Sequence, residues 1–163
     1  AVAQALAADC GAVWLVGAPD ASDVAFQRHA ARVRLAGQGG GDLGARMHRA
    51  FGQVFDATPG ALGALLIGSD APALDAAALR AAAAALADHD AVFVPALDGG
   101  YALVGLRRSQ PALFDGMPWS TPQVMALTRE RIAALGLRHA ELPPVADIDV
   151  PADLAQLPAG WTA

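Results

Sequence analysis

Short apolar runs alternate with amphipathic stretches along the chain. Val13-Trp14-Leu15-Val16 reads as a buried strand ending at Gly17 and Pro19, and Val33-Arg34-Leu35 as a short strand before Gly39-Gly40-Gly41. Leu43, Met47, Phe51, Val54 and Phe55 recur at helical spacing, with Asp42 placed to cap that helix. Leu65-Leu66-Ile67 predicts another strand, ending at Gly68-Ser69-Asp70. The alanine-rich stretch 76–87 predicts a helix with a thin seam of Leu79 and Leu86, capped by Asp75. Residues 91–94 and 101–104 are strand-like, and Asp98-Gly99-Gly100 between them is a hairpin signal. Ser120 or Thr121 before Pro122 predicts a helix start. Val124, Leu127, Thr128, Ile132 and Leu135 would form the inner face of that helix, and Gly136 its end. A strand over 138–142, the pair Pro143-Pro144 and a short helix over 152–157 complete the pattern.

Strands alternating with helices predict one α/β domain over 1–163, three-layered and Rossmann-like, with a mostly parallel sheet. In such sheets ligands gather at the carboxyl ends of strands, so the residues just after each strand are the candidates for chemistry.

Composition narrows that chemistry. The chain has 163 residues, 55% of them hydrophobic, and a net charge of -5. This argues against disorder and against sequence-independent nucleic-acid binding. No apolar run is long enough for a membrane span. All 11 basic residues are arginine. Without lysine, a Walker loop, a Schiff base and a lysine general base are excluded within this chain. The single cysteine, Cys10, excludes an internal disulfide and a cysteine-based zinc site, and fits a cytoplasmic location. No signal-peptide pattern opens the chain.

Five segments stand out, each with a plain structural alternative. Asp70 follows a strand and offers a hard oxygen ligand for Mg or Mn, or else forms a turn before Pro72. Asp147-Ile148-Asp149 precedes the last helix, where Asp149 reads as a cap or as a metal ligand. Asp98-Gly99-Gly100-Tyr101 is a hairpin turn whose glycines admit a ligand and whose Tyr101 offers a stacking face. Gln38-Gly39-Gly40-Gly41-Asp42 opens a helix, as a tight turn or as a ligand-contacting loop. Ser120, beside Trp119, is a helix cap or a hydroxyl for substrate. The four histidines lie far apart without ligand spacing, and no G-x-S-x-G is present.

Together, GDLGxRM (41–47), GSDxP (68–72), DGGYxLxGL (98–106), WST (119–121) and the acidic segment 147–154 resemble a group of bacterial glycosyltransferase-like proteins. These belong to the nucleotide-diphospho-sugar transferase superfamily, and some occur in radical-SAM and selenium gene clusters. The resemblance implies a glycosyltransferase-A-type fold and a metal-dependent transfer of a glycosyl group from a nucleotide sugar to an acceptor. The alternative it implies is nucleotidyl transfer from a nucleoside triphosphate, as in the molybdenum-cofactor and phospholactate guanylyltransferases. By the same resemblance Asp70 and Asp149 would hold Mg or Mn and Asp98 would contact the acceptor. Gln38, Asp42, Gly99, Gly100, Tyr101 and Ser120 would line the substrate. Members of the group begin with a strand and a Pro-Gly…Lys-Thr-Arg loop facing the nucleotide, and this chain starts beyond that point. The expectation is a domain lacking its first strand. A third alternative follows, a non-catalytic binding or oligomerisation module, such as a homodimer joined at a sheet edge.

Overall fold

The computed structural model describes residues 1–18 and 20–146. In chain order the elements are α1 (Val2–Ala8), β1 (Trp14–Gly17), α2 (Val24–Gln27), β2 (Arg34–Gly37), α3 (Leu43–Ala57) and β3 (Ala64–Ile67). After these come α4 (Ala76–Ala85), β4 (Ala91–Pro95), β5 (Tyr101–Leu106), a 3-10 turn (Pro111–Leu113), α5 (Val124–Ala134) and β6 (His139–Glu141).

Four strands form one sheet in the order β3-β5-β4-β6. β4 and β6 run parallel, and β5 runs against both β3 and β4, so β3, β4 and β6 share one direction. The reversed β5 is the second arm of the hairpin at Asp98-Gly99-Gly100. β1 and β2 form a separate parallel pair.

Period-2 alternation along the central strands sends side chains to opposite faces. Val92, Val94 and Leu103 pack on one face against Leu79, Ala82 and Leu86 of the alanine-rich helix region, with Ala8 of α1. Ala91, Phe93, Val104 and Leu106 pack on the other against Met47 and Phe51 of α3 and Met125 and Ile132 of α5. The result is a three-layer α/β domain whose sheet is buried on both sides, which is why β4 and β5 are continuously apolar.

Asp42 and Asp75 cap as their positions predict, accepting from the amides of Ala45 and Ala78 at 2.8 Å each. The start of α5 differs from expectation. Its cap position is Gln123, without a side-chain bond, and Ser120 sits upstream at φ 60°. The amide of Met125 in the first turn instead donates to Gly99 O at 2.8 Å, so the hairpin satisfies a group a cap residue would otherwise take. The inner face of α5 is also shifted. Met125 is buried, Leu127 is half-buried and Leu135 is exposed. Two helices, α1 and α2, were not anticipated, although Asp23 caps α2 by accepting from the Ala25 amide at 2.7 Å. Asp147, Asp149 and the helix expected over 152–157 lie outside the described residues.

Candidate active site at the carboxyl end of the sheet

Strand register places two of the candidate carboxylates at the same end of the sheet. Gly68, just beyond β3, donates to Ala102 O at 3.1 Å, while Pro95 at the end of β4 stands opposite Tyr101. The Gly68-Ser69-Asp70 loop and the turn carrying Asp98 therefore leave the sheet together. The segment after β6 arrives beside them, since Leu97 donates to Val145 O at 3.1 Å.

Both carboxylates face solvent. Asp70 Oδ1 occupies the position a Cβ on Gly68 would need, so the glycine makes room for the folded-back carboxylate. Asp98 accepts from the Gly100 amide at 2.8 Å through Oδ1, leaving Oδ2 without a partner among the described residues. Gly99, at φ 96°, packs against the backbone of Pro122, where a side chain would collide. This contact and the Gly99–Met125 bond fasten the turn to the start of α5.

Tyr101 is packed beneath this turn. Its ring meets Phe93 at 5.4 Å and Trp119 at 6.4 Å between centroids, both edge-on. Its hydroxyl is enclosed without a hydrogen-bond partner among the described residues, and so is Nε1 of Trp119. Burial pushes the Tyr101 phenol above its ordinary range, against a weaker pull from Arg131. The stacking face proposed for a ligand is thus taken up by aromatic neighbours. Trp119 continues to α3, where Gly44 lies so close that an added Cβ would stand 2.8 Å from Trp119 Nε1. Blocks far apart in sequence, around Gly44, Tyr101 and Trp119, meet at this cluster. Ser120 beside it is exposed.

The glycine loop leaves the ends of β1 and β2. Gln38 bridges the two strands, donating its amide to Gly17 O at 2.8 Å and Nε2 to Val16 O at 3.3 Å. Asp42 is engaged as the cap of α3. Arg49 Nη1 reaches back from α3 to the carbonyls of Gln38 and Gly40. Arg46 Nε donates to Gly41 O at 3.0 Å. An open cavity of about 460 Å³ lies here, lined by Ala18, Gly39, Gly40 and Arg46. Pockets for small ligands run from roughly 300 to 1,000 Å³. Arg46 stands in the GDLGxRM motif without an assigned role, and Arg49 lies outside every motif. The available signal was two arginines three residues apart on the helix that a glycine loop opens.

No group of three or more His, Cys, Asp and Glu residues with metal-binding geometry occurs among the described residues. Asp70 offers one hard oxygen ligand, and its expected partner Asp149 lies outside them. No helix among the described residues is long and apolar enough to cross a membrane.

This arrangement has a close structural counterpart. The chain superimposes on the crystal structure of a putative nucleotide-diphospho-sugar transferase from Desulfovibrio desulfuricans G20. The TM-score is 0.79 at 30% identity, covering 91% of this chain and 67% of that one. No curated protein sequence matches the chain. Residues 1–121 match a family described as uncharacterized protein conserved in bacteria, DUF2064. The chain belongs to this bacterial family and carries the fold of a nucleotide-diphospho-sugar transferase.

Proposed function

We propose that the protein transfers a glycosyl group from a nucleotide sugar to a small-molecule acceptor. The observation that carries this reading is the shared exit of the Asp70 loop and the Asp98 turn from one end of the sheet. Ligands bind at such ends in folds of this class. Asp98, with one free carboxylate oxygen, contacts the acceptor hydroxyl. Gly99 and Gly100 keep the backbone low beside it. Gln38 and Asp42 shape the donor side by holding the glycine loop in place, and Ser120 adds an exposed hydroxyl nearby. Tyr101 supports the turn from below.

The donor set suits Mg or Mn in part. Asp70 is an exposed, uncommitted carboxylate that would hold the ion, with Asp149 its expected second protein ligand. When bound, such an ion neutralises charge that builds on a diphosphate leaving group.

The test is incubation with a panel of nucleotide sugars and, separately, nucleoside triphosphates, with Mg or Mn, following the released product. Release of nucleoside diphosphate from a nucleotide sugar supports glycosyl transfer. Release of pyrophosphate from a triphosphate replaces it with nucleotidyl transfer.

A second reading, a binding or homodimerising module, draws on the sheet edges. Among the described residues β1 pairs only with β2 and β3 only with β5, so each presents an apolar strand with one unpaired edge. A concentration-dependent dimer without turnover in the panel assay would favour it.

A further inference from the structure

We infer that the cavity at Arg46 is an anion site that takes a phosphoryl group, with Arg46 and the amides of Gly39 and Gly41 as its donors. Building on the proposed transferase reading, this assigns the phosphate end of a nucleotide to the glycine loop. The argument begins with Arg49. Its Nη1 draws the carbonyls of Gln38 and Gly40 toward α3. In a planar trans peptide the N–H points opposite to the C=O of the same unit. The N–H groups of Gly39 and Gly41 are therefore turned away from Arg49, and neither donates to any described residue.

Glycine is required at both positions. Gly39 has φ 69°, and a Cβ there would stand 2.8 Å from Arg49 Nη1. Gly41 has φ 100°, and a Cβ there would stand 2.8 Å from Ala45 Cβ.

Arg46 supplies the charge. Only its Nε is occupied, by Gly41 O, and neither Nη group donates to a described residue. Arg46 lines the cavity together with Ala18, Gly39 and Gly40. The acidic residue of the loop, Asp42, is turned to the Ala45 amide as the helix cap. Arg49 adds a second cation behind the loop. A planar guanidinium with free donors beside outward backbone N–H groups is the donor pattern that suits phosphoryl oxygens.

The test uses the full chain, wild type and as Arg46→Gln and Arg46→Lys, titrated with inorganic pyrophosphate, a nucleoside and the matching nucleoside diphosphate. Expected is saturable pyrophosphate binding by wild type, weakened about tenfold or more by Arg46→Gln and less by Arg46→Lys, with nucleoside binding unchanged. On ¹⁵N-glycine-labelled wild type, pyrophosphate should move the Gly39 and Gly41 amide resonances, a readout independent of any variant's folding. Unmoved amides, or Arg46→Gln binding pyrophosphate as wild type does, would overturn the inference. In that case nucleoside diphosphate binding by both proteins would leave the transferase reading standing. Pyrophosphate binding through Arg46 without any nucleotide preference would sustain the anion site and remove the transferase reading.

Discussion

The indole of Trp119 meets the phenol ring of Tyr101 edge-on, with 6.4 Å between centroids and 89° between planes. The same indole also packs against Gly44 near the start of α3. One side chain thus ties the turn that carries Asp98 to the helix that carries the glycine loop.

Gly44→Ala should destabilise the fold although it raises helix propensity. The new methyl would come within 2.6 Å of Phe114 O and 2.8 Å of Trp119 Nε1, and such overpacking costs about 1–3 kcal/mol. Gly52, in the same helix with nothing within 4 Å of its added Cβ, is the control. Gly52→Ala should stabilise by about 0.5–1 kcal/mol. Thermal melts of the two variants check the difference in sign.

Tyr101 is the only tyrosine, so its ionisation can be followed alone by ultraviolet absorbance. Burial holds the folded-state pKa above the unfolded value of about 10. The stability this group contributes is complete below about pH 10 and is lost as pH rises through the folded pKa. The folded protein should show no tyrosinate step near pH 10, and Tyr101→Phe should flatten the loss of stability above that pH. Because the hydroxyl is enclosed without a partner among the described residues, the variant should be as stable as wild type at neutral pH, or more stable by up to about 1 kcal/mol.

Arg129 and Glu141 form a two-pronged pair at 2.7 Å per bond between α5 and β6. The hydrogen bonds from Arg129 hold the Glu141 carboxyl below its ordinary value, partly opposed by burial. The pair is largely solvent-exposed, so Arg129→Ala should cost less than about 1 kcal/mol at neutral pH. A lowered carboxylate pKa contributes stability above the unfolded value of about 4.3 and loses it as pH falls through the folded one. Denaturant midpoints of wild type and variant should converge as pH falls through the titration of the folded Glu141 carboxyl.

Much of the fold is legible in the sequence because its strongest signals are local. The continuously apolar run at 91–94 and the Asp98-Gly99-Gly100 hairpin give the sheet its two central strands. Asp42 and Asp75 cap the helices they precede because each bond spans only three residues. What escaped depends on contacts between distant segments. Helix α1 has no capping side chain of its own and lies against α4, where Gln4 Oε1 accepts from the Ala76 amide. The Ser120-Thr121-Pro122 pattern does not start α5, because Gly99 O takes the amide of Met125. At the site, Asp70 and Asp98 were recognisable by their places after strands. The orienting role of Arg49 was not, because it exists only once α3 folds back over the glycine loop.

We propose that Asp70 holds a divalent cation whose coordination a nucleoside diphosphate completes. The most direct test is a manganese titration of the full chain and of Asp70→Asn, each with and without nucleoside diphosphate. A hard cation needs several oxygen ligands, so wild type should bind manganese weakly alone and at least about tenfold more tightly with the diphosphate. Asp70→Asn, which keeps the shape and removes the charge, should lose both while retaining its thermal melt. Manganese binding by Asp70→Asn equal to that of wild type, with the same response to nucleotide, would show that Asp70 is not a metal ligand.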